Sequence, residues 1–298
     1  MAIDNLSPTV VLMAAGRGSR YGGAKQLDNI GPSGETLLDY AVYDARRAGF
    51  TRFVFVTRAD LMSEMSNRAR SFPKDVSVKC IVQEEPDRTR PWGTVHAVLV
   101  AEASGDGPVV ALNADDFYGL RAYELAAHAC RRTAATGAAT VIGMPLEQTL
   151  SDHGTVVRAI CETNDDWLTV LDEVHDLARN GAAIEGRTRT GEPRTFSGRE
   201  IVSMNLWILP QPLVGQLAES LATFKDTHGD DPEAELPLPE AIGALIASGE
   251  ARVRVMESPG PWFGLTHSRD RAAVVTGLQS LVDRGLYPRT LWQPQSGW

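Results

Sequence analysis

The sequence predicts a doubly wound α/β fold, a mostly parallel sheet with helices on both faces. Three observations predict it. β-rich runs alternate with helical patterns through the first half of the chain, as a parallel sheet with crossover helices requires. The first apolar run, Val10 to Ala15, stops abruptly at a glycine-rich loop, Gly16-Arg17-Gly18-Ser19-Arg20, with Gly22, Gly23 and Lys25 close behind. And 298 residues, 43% of them hydrophobic, suffice for one substantial core without a disulfide or metal staple.

The elements follow in order. Val10 to Ala15 reads as a strand buried on both faces. Ile30 to Gly34 is a turn-rich connector. From Thr36, the residues Leu37, Leu38, Ala41, Val42, Ala45 and Ala48 fall on one helical face, and Gly49 ends the helix. Phe53 to Val56 is a strand, Leu61 to Arg70 a polar surface helix, and Val76 to Val82 a third strand. Thr94 to Ala103 is a helix and Val109 to Leu112 a fourth strand. Ala122 to Thr136 is a helix and Thr140 to Met144 a fifth strand. Ligands of such sheets sit at the carboxyl ends of the strands. The glycine loop lies at one such end and Asn113-Ala114-Asp115-Asp116 at another.

The second half changes character. Thr155 to Ile160 and Trp167 to Val174 read as paired strands. Asn180 to Arg199, with Arg187, Arg189, Arg194 and Arg199, reads as a solvated loop. Ile201 to Leu209 and Arg252 to Met256 are strand-like. Leu213 to Phe224, Leu238 to Ala247 and Arg269 to Val282 are helical, and Asp226 to Glu235 is an acidic turn region. No Pro/Gly/Ser linker, repeat or low-complexity tract divides the chain. Residues 1–298 are therefore expected to form one domain, with a first half to residue 144 and an elaboration over 145–298.

Net charge is −9, which disfavours a nucleic-acid partner and requires any anionic ligand to be held by locally placed Arg and Lys. The three cysteines form no CxxC and the six histidines no zinc-ligand spacing. No window reaches the roughly 18 apolar residues of a membrane span, and the first residues show neither a basic start nor an apolar signal core. The expectation is a cytoplasmic protein with no membrane partner. Its oligomeric state is left open, a homo-oligomer included.

The glycine loop narrows the chemistry. Glycines let the backbone approach a bulky anion and expose its N–H groups, and Arg20 and Lys25 add positive charge. Tyr21 stands where a GxGxxG dinucleotide fingerprint needs its third glycine, and no GxxxxGK[ST] phosphate loop is present. What remains, AAGxGSR followed by Lys25, resembles the signature of the sugar-phosphate nucleotidylyltransferases. That family joins an NTP to a sugar 1-phosphate with release of pyrophosphate, on a Rossmann-like three-layer α/β/α sandwich with a mixed, mostly parallel sheet.

The resemblance implies roles residue by residue. Ala14, Ala15, Gly16, Gly18 and Ser19 wrap the triphosphate, Arg20 holds its β- and γ-phosphates, and Lys25 serves the reacting centre. The short Arg20-to-Lys25 spacing looks more like cytidylyltransferases for small alcohol phosphates. Gln83, followed ten residues later by Gly93-Thr94-Val95-His96-Ala97, resembles the family's base-reading Q…GTAHA element, with Thr94 also a natural helix N-cap. Asn113-Ala114-Asp115 resembles its N-G-D element, whose aspartate binds Mg²⁺, with Asp116 adjacent as a second possibility. Glu173 and Asn205 match acceptor ligands, and Arg158 is a further candidate for the acceptor phosphate. Pro261-Trp262-Phe263-Gly264-Leu265-Thr266 stands where relatives carry W-x-D-x-G-T, so the second metal aspartate is missing, with Asp116, Asp270 and Glu235 as substitutes.

The expected activity is Mg²⁺-dependent nucleotidyl transfer from an NTP to a sugar 1-phosphate or similar small phosphorylated acceptor. The alternatives are a cytidylyltransferase for a non-sugar alcohol phosphate such as phosphocholine, and a non-catalytic regulatory protein that binds nucleotide-sugars.

Overall fold

The computed structural model describes residues 6, 8–16, 25–84, 88, 90–101 and 107–292. The first half runs β1 (Thr9–Met13), α1 (Leu37–Arg47), β2 (Arg52–Thr57), α2 (Met62–Ala69), β3 (Ser77–Val82), α3 (Thr94–Val100), β4 (Val109–Asn113), β5 (Asp116–Phe117), α4 (Gly119–Thr136) and β6 (Ala139–Pro145). The second half adds β7 (Val156–Asn164), β8 (Trp167–Asn180), β9 (Ala183–Thr188), β10 (Pro193–Phe196), β11 (Ile201–Leu209), α5 (Gln211–His228), α6 (Leu238–Ala247), β12 (Val253–Glu257), β13 (Phe263–Gly264) and α7 (Asp270–Asp283).

One mixed sheet holds the strands in the order β10-β9-β8-β12-β6-β11-β4-β1-β2-β3, with β7 crossing between β11 and β8. Strands β4, β1, β2 and β3 are parallel, and so are β6 and β12. Strand β11 inserts antiparallel between β4 and β6, welding the second half into the middle of the first. The alternation of β1 shows why its run is apolar throughout. Val10 and Leu12 pack under α1 and α4, whereas Val11 and Met13 pack under α3, α5 and α6. A third cluster joins Leu37 and Tyr40 of α1 to Phe117, to α7, and to Tyr287 and Leu291.

Local chemistry sets the helix ends. Thr36 caps α1 in a reciprocal capping box with Asp39: each side chain takes the other's backbone N–H, at 3.3 and 2.7 Å. Gly137 closes α4 in the left-handed conformation. Trp292 lies against Tyr43 and Phe72 of its own chain.

The segment read as a loop over Asn180 to Arg199 is corrected. It forms the hairpin β9–β10, continuing the sheet from β8. Its arginines are held there: Arg194 pairs with Asp172 (3.0 Å) and Glu162 (3.3 Å), and Arg189 with Glu240 (3.0 Å). Among the described residues, no helix is long and apolar enough to cross a membrane.

Candidate active site

The carboxyl ends of β1, β3 and β4 open into one cavity of about 480 Å³, whose lining also draws on strand β8, strand β11 and the segment before α6. Ala15, Gly16, Lys25, Gln83, Gly93, Thr94, Asp115, Glu173 and Asn205 all line it. Ala14 does not. Side chains alternate past the end of β1, so Met13 and Ala15 face the cavity while Ala14 is buried in the core beneath α1. Gly18, Ser19 and Arg20 lie outside the described residues.

At the end of β1 the Gly16 carbonyl accepts from Gln26 Nε2 (2.8 Å) and from Arg58 (3.2 Å). Gln26 is 1% exposed, lines the cavity, and leaves its Oε1 without a hydrogen-bond partner. A buried orphan acceptor on a cavity wall suits a ligand donor. Sequence reading passed over Gln26, although it follows Lys25 directly.

Lys25 forms an ion pair with Asp115, and its ammonium also donates to the Leu265 carbonyl (3.2 Å). One cation thus joins the end of β4 to the strand-end that follows β13. The Leu265 carbonyl carries no side-chain signal and was invisible in the sequence.

Gln83 and Gly93 act as a unit, since Gln83 Nε2 donates to the Gly93 carbonyl at 2.8 Å. Gly93 itself caps α3 at φ +87° and ψ −166°, a region essentially reserved for glycine. Thr94 is therefore not the N-cap. Its hydroxyl instead accepts from the Leu238 N–H (2.7 Å), tying α3 to the start of α6. The acidic turn before α6 is tied to the same place. Arg88 stacks on Trp92 at 3.3 Å and donates to the carbonyls of Asp231 (2.9 Å) and Ala234 (2.6 Å), and Arg90 pairs with Glu233 at 2.7 Å. Glu235 lines the cavity, and burial raises its carboxyl, with Arg90 opposing.

Three expectations about the acidic and acceptor residues need correction. Arg158 does not reach the cavity. It is buried beside a separate 240 Å³ pocket, donating to the carbonyls of Thr149 and Val157 with Trp262 nearby, and burial brings its guanidinium down to about 10. Asp116 does not line the cavity either. It is 6% exposed, and its Oδ2 accepts from Asn113 Nδ2 at 2.9 Å. Asp270 is occupied by Ser151 Oγ (2.7 Å) and by the backbone N–H groups of Thr266 (3.1 Å) and His267 (2.6 Å). Asp115 is the carboxylate that pairs with Lys25, and no group of three metal-ligating side chains occurs among the described residues. Gly264 explains the missing aspartate locally. It pairs with Asp116 across β13 and β5, and a Cβ on it would lie 2.8 Å from Asp116 Oδ1 and 2.3 Å from the Trp262 ring.

Asn205, expected as an acceptor ligand, carries a conformational signature. It sits at φ +61° in a bulge of β11 between Ser203 and Leu206. Asparagine tolerates that conformation better than most residues, and such strain clusters at functional sites. Glu173 on β8 lies 3.1 Å from His175 Nε2.

A strand-end cavity lined by Gly16, a Lys–Asp pair and polar groups from an inserted strand is a candidate nucleotidyltransferase site. Comparison agrees. A model of the MobA-like NTP transferase domain matches residues 10–182, and the chain belongs to that family; its class of chemistry is nucleotidyl transfer. No curated protein matches the sequence. Solved structures share the fold. The inositol-1-phosphate CTP transferase from T. maritima superposes with a TM-score of 0.63 at 12% identity, over 94% of this chain and 97% of the other. A UDP-glucose pyrophosphorylase complexed with UDP-glucose gives 0.60 at 14%, over 92% and 98%. The UTP-bound UGPase from Acinetobacter baumannii gives 0.59 at 16%, over 94% and 98%.

Proposed function

We propose that this enzyme transfers a nucleotidyl group from an NTP to the phosphate of a sugar 1-phosphate or a similar cyclic polyol phosphate, releasing pyrophosphate, in the cytoplasm. The observation that carries the reading is the arrangement of the cavity. Gly16, Lys25 and Asp115 line it together with Glu173 and Asn205, which β8 and β11 supply. Such a site gathers in one cavity the groups that two anionic substrates need.

An oxygen of the acceptor phosphate attacks the α-phosphorus, and the bond from the α-phosphorus to the bridging oxygen breaks as pyrophosphate leaves. A phosphate monoester is already an anion near neutral pH, so no general base is required. The residues must align the two phosphates and stabilise the charge that accumulates on the leaving group. The backbone at Gly16 and the sequence-assigned Gly18, Ser19 and Arg20 take the triphosphate, and Lys25 stands at the reacting phosphate. Gln83 and Gly93 form the wall for the base. Glu173 and Asn205 take the hydroxyls of the acceptor.

The oxygen donors at the centre fit Mg²⁺. Asp115 and the Leu265 carbonyl already share one cation, the Lys25 ammonium, and Mg²⁺ takes one or two carboxylates with substrate phosphates supplying the rest. Asp115 would hold the ion, which supplies charge neutralisation between the phosphates.

The test is pyrophosphate release with Mg²⁺ across a panel of donors and acceptors. CTP, UTP, dTTP, GTP and ATP are each paired with glucose 1-phosphate, inositol 1-phosphate and phosphocholine. Turnover with a cyclic phosphate is expected. Turnover with phosphocholine alone would replace the acceptor assignment. NTP binding with no turnover for any pair would make the protein a nucleotide sensor.

A further inference from the structure

Asp116, next to Asp115 in sequence, is buried outside the cavity lining but hydrogen-bonded to Asn113, which lines it. Its surroundings form a directed chain of polar groups. Asn113, the last residue of β4, donates its Nδ2 to Asp116 Oδ2 (2.9 Å). Asn113 Oδ1 then faces Asn205 Nδ2 at 3.3 Å, and Asn205 Oδ1 accepts from the Trp207 indole Nε1 at 3.4 Å. Tyr118 braces the start of the chain: its hydroxyl accepts from the Asn113 N–H (3.2 Å), donates to the Met204 carbonyl (2.6 Å) and lies 3.3 Å from the same Asp116 oxygen. Asn113 and Asn205 line the cavity; Asp116 and Tyr118 do not.

The two ends of this chain fix its direction. An indole can only donate, so Trp207 requires the oxygen of the Asn205 amide. At the other end, the Asp116 oxygen accepts, so it requires the nitrogen of the Asn113 amide. Between them, both amides have one orientation, and Asn205 keeps one N–H for a ligand. Remove the acceptor at Asp116, and the Asn113 amide loses the partner that sets its polarity. Networks of this kind hold their members more tightly than the separate bonds suggest. Here the held member is Asn205, whose φ of +61° at the β11 bulge needs such support.

We propose that Asp116 is a positioning residue: through Asn113 it anchors the Asn205 amide in the orientation that Trp207 also requires, and so holds in place the donors that the cavity presents to the acceptor. The part concerning the acceptor rests on the proposed function. The orientation of the chain does not, and is tested separately. The buried Arg158 is near enough for its charge to favour the Asp116 carboxylate.

Two substitutions separate positioning from metal binding. In Asp116→Asn the amide oxygen accepts both bonds in place of the carboxylate oxygen. Asp116→Ala removes the acceptor, and Asn113→Ala breaks the next link if Asp116→Ala fails to fold. The first readout needs no substrate: the indole N–H resonance of Trp207 in a ¹H–¹⁵N spectrum. It should move in Asp116→Ala and in Asn113→Ala, although Asp116 does not touch Trp207, and stay in place in Asp116→Asn. The second readout is kinetic. Asp116→Ala should raise the acceptor KM by roughly tenfold with the NTP KM unchanged, and Asp116→Asn should restore it. An indole signal that stays in place in both alanine variants overturns the chain. A shifted indole with an unchanged acceptor KM overturns its role in binding. A tenfold higher Mg²⁺ requirement in Asp116→Asn would make Asp116 a metal ligand instead. If the wild-type enzyme turns over no donor–acceptor pair, the proposed function fails while the indole signal still decides on the chain.

Discussion

Replacing Gly93 by alanine should damage both stability and nucleotide binding, and the size of the loss can be worked out from its neighbours. A Cβ at Gly93 would lie 2.6 Å from the Leu236 carbonyl oxygen, 2.8 Å from its nitrogen and 2.9 Å from its carbonyl carbon. These are backbone atoms and cannot rotate away. Leu236 is held by its own N–H on the Trp92 carbonyl (3.0 Å) and by the Val95 N–H on its carbonyl (3.3 Å). Moving it puts both bonds at risk, at about 1 kcal/mol each. The glycine-only backbone conformation adds about 1–3 kcal/mol for any side chain. The expected loss is about 3–5 kcal/mol, a large part of the 5–15 kcal/mol typical of a folded protein. Gly137→Ala is the control. It has φ +71° with open space around the new Cβ, so it should lose only about 1–2 kcal/mol. Urea unfolding of both variants measures the difference, and a thermal-shift titration with NTP reads the cavity, because the Gly93 carbonyl anchors Gln83. Equal losses in the two variants would refute the claim that close approach of Leu236, rather than backbone conformation alone, demands glycine at 93.

Lys25→Met should lower kcat by about 10²–10³, the scale of losing one preorganised charge at the leaving group, with urea stability altered by about 1 kcal/mol or less because its ion pair is partly exposed; full activity would remove Lys25 from the reacting centre. Arg158→Met should destabilise the fold by about 2–4 kcal/mol, since the Thr149 and Val157 carbonyls lose their donors, and a raised acceptor KM without that loss would return Arg158 to the acceptor site. Asp44→Asn should flatten part of the pH dependence of stability. Burial pushes the Asp44 carboxyl up to about 7, against the hydrogen bond from Tyr287 and the charge of Arg47. The native state therefore keeps a proton that the unfolded chain releases near pH 4, and wild-type stability relative to the variant falls as pH rises from about 4 to 7, by up to roughly 4 kcal/mol. Unfolding curves at pH 4.5, 6 and 8 that differ by a constant between the two proteins would contradict this.

The first half of the fold was legible because its strands and helices bury side chains with clear periods. Helix α1 starts after Thr36 as its apolar spacing requires, at Leu37–Arg47, and in the second half α6 likewise runs where its spacing puts it, at Leu238–Ala247. The hairpin β9–β10 was not legible, for a packing reason. Its inward positions include Ile184 and Phe196 but also Gly186, where a Cβ would lie 2.7 Å from Val174. Close packing against β8 demands glycine there, and glycine in a sequence reads as a loop. The site was legible where side-chain type carries the chemistry, as at Lys25 and Asp115. It was obscure where geometry decides. Ala14 and Ala15 are identical in sequence and face opposite ways. Asp115 and Asp116 are identical too, yet one pairs with Lys25 and the other is buried against Asn113. Arg158 looked like an anion ligand because nothing in the sequence reveals that its donors are spent on backbone carbonyls.

The family match ends at residue 182, and that boundary divides the cavity unevenly. The glycine turn, Lys25, Gln83, Gly93 and Asp115 all fall within it, and so does Glu173. Asn205, Glu235, Pro237 and Pro239 fall beyond it, as does the Leu265 carbonyl that shares Lys25 with Asp115. These later groups are not appended to a finished site. Strand β11 runs through the middle of the sheet, Leu236 packs on Gly93, and Leu265 completes the cradle of Lys25. The matched part carries the residues that the family match covers, and the wall from residue 205 onward adds cavity contacts beyond it. Acceptor choice is best sought in that wall. Substitutions at Asn205 should alter the ranking of acceptors before they alter the ranking of NTPs, and the reverse order would assign the wall to the nucleotide.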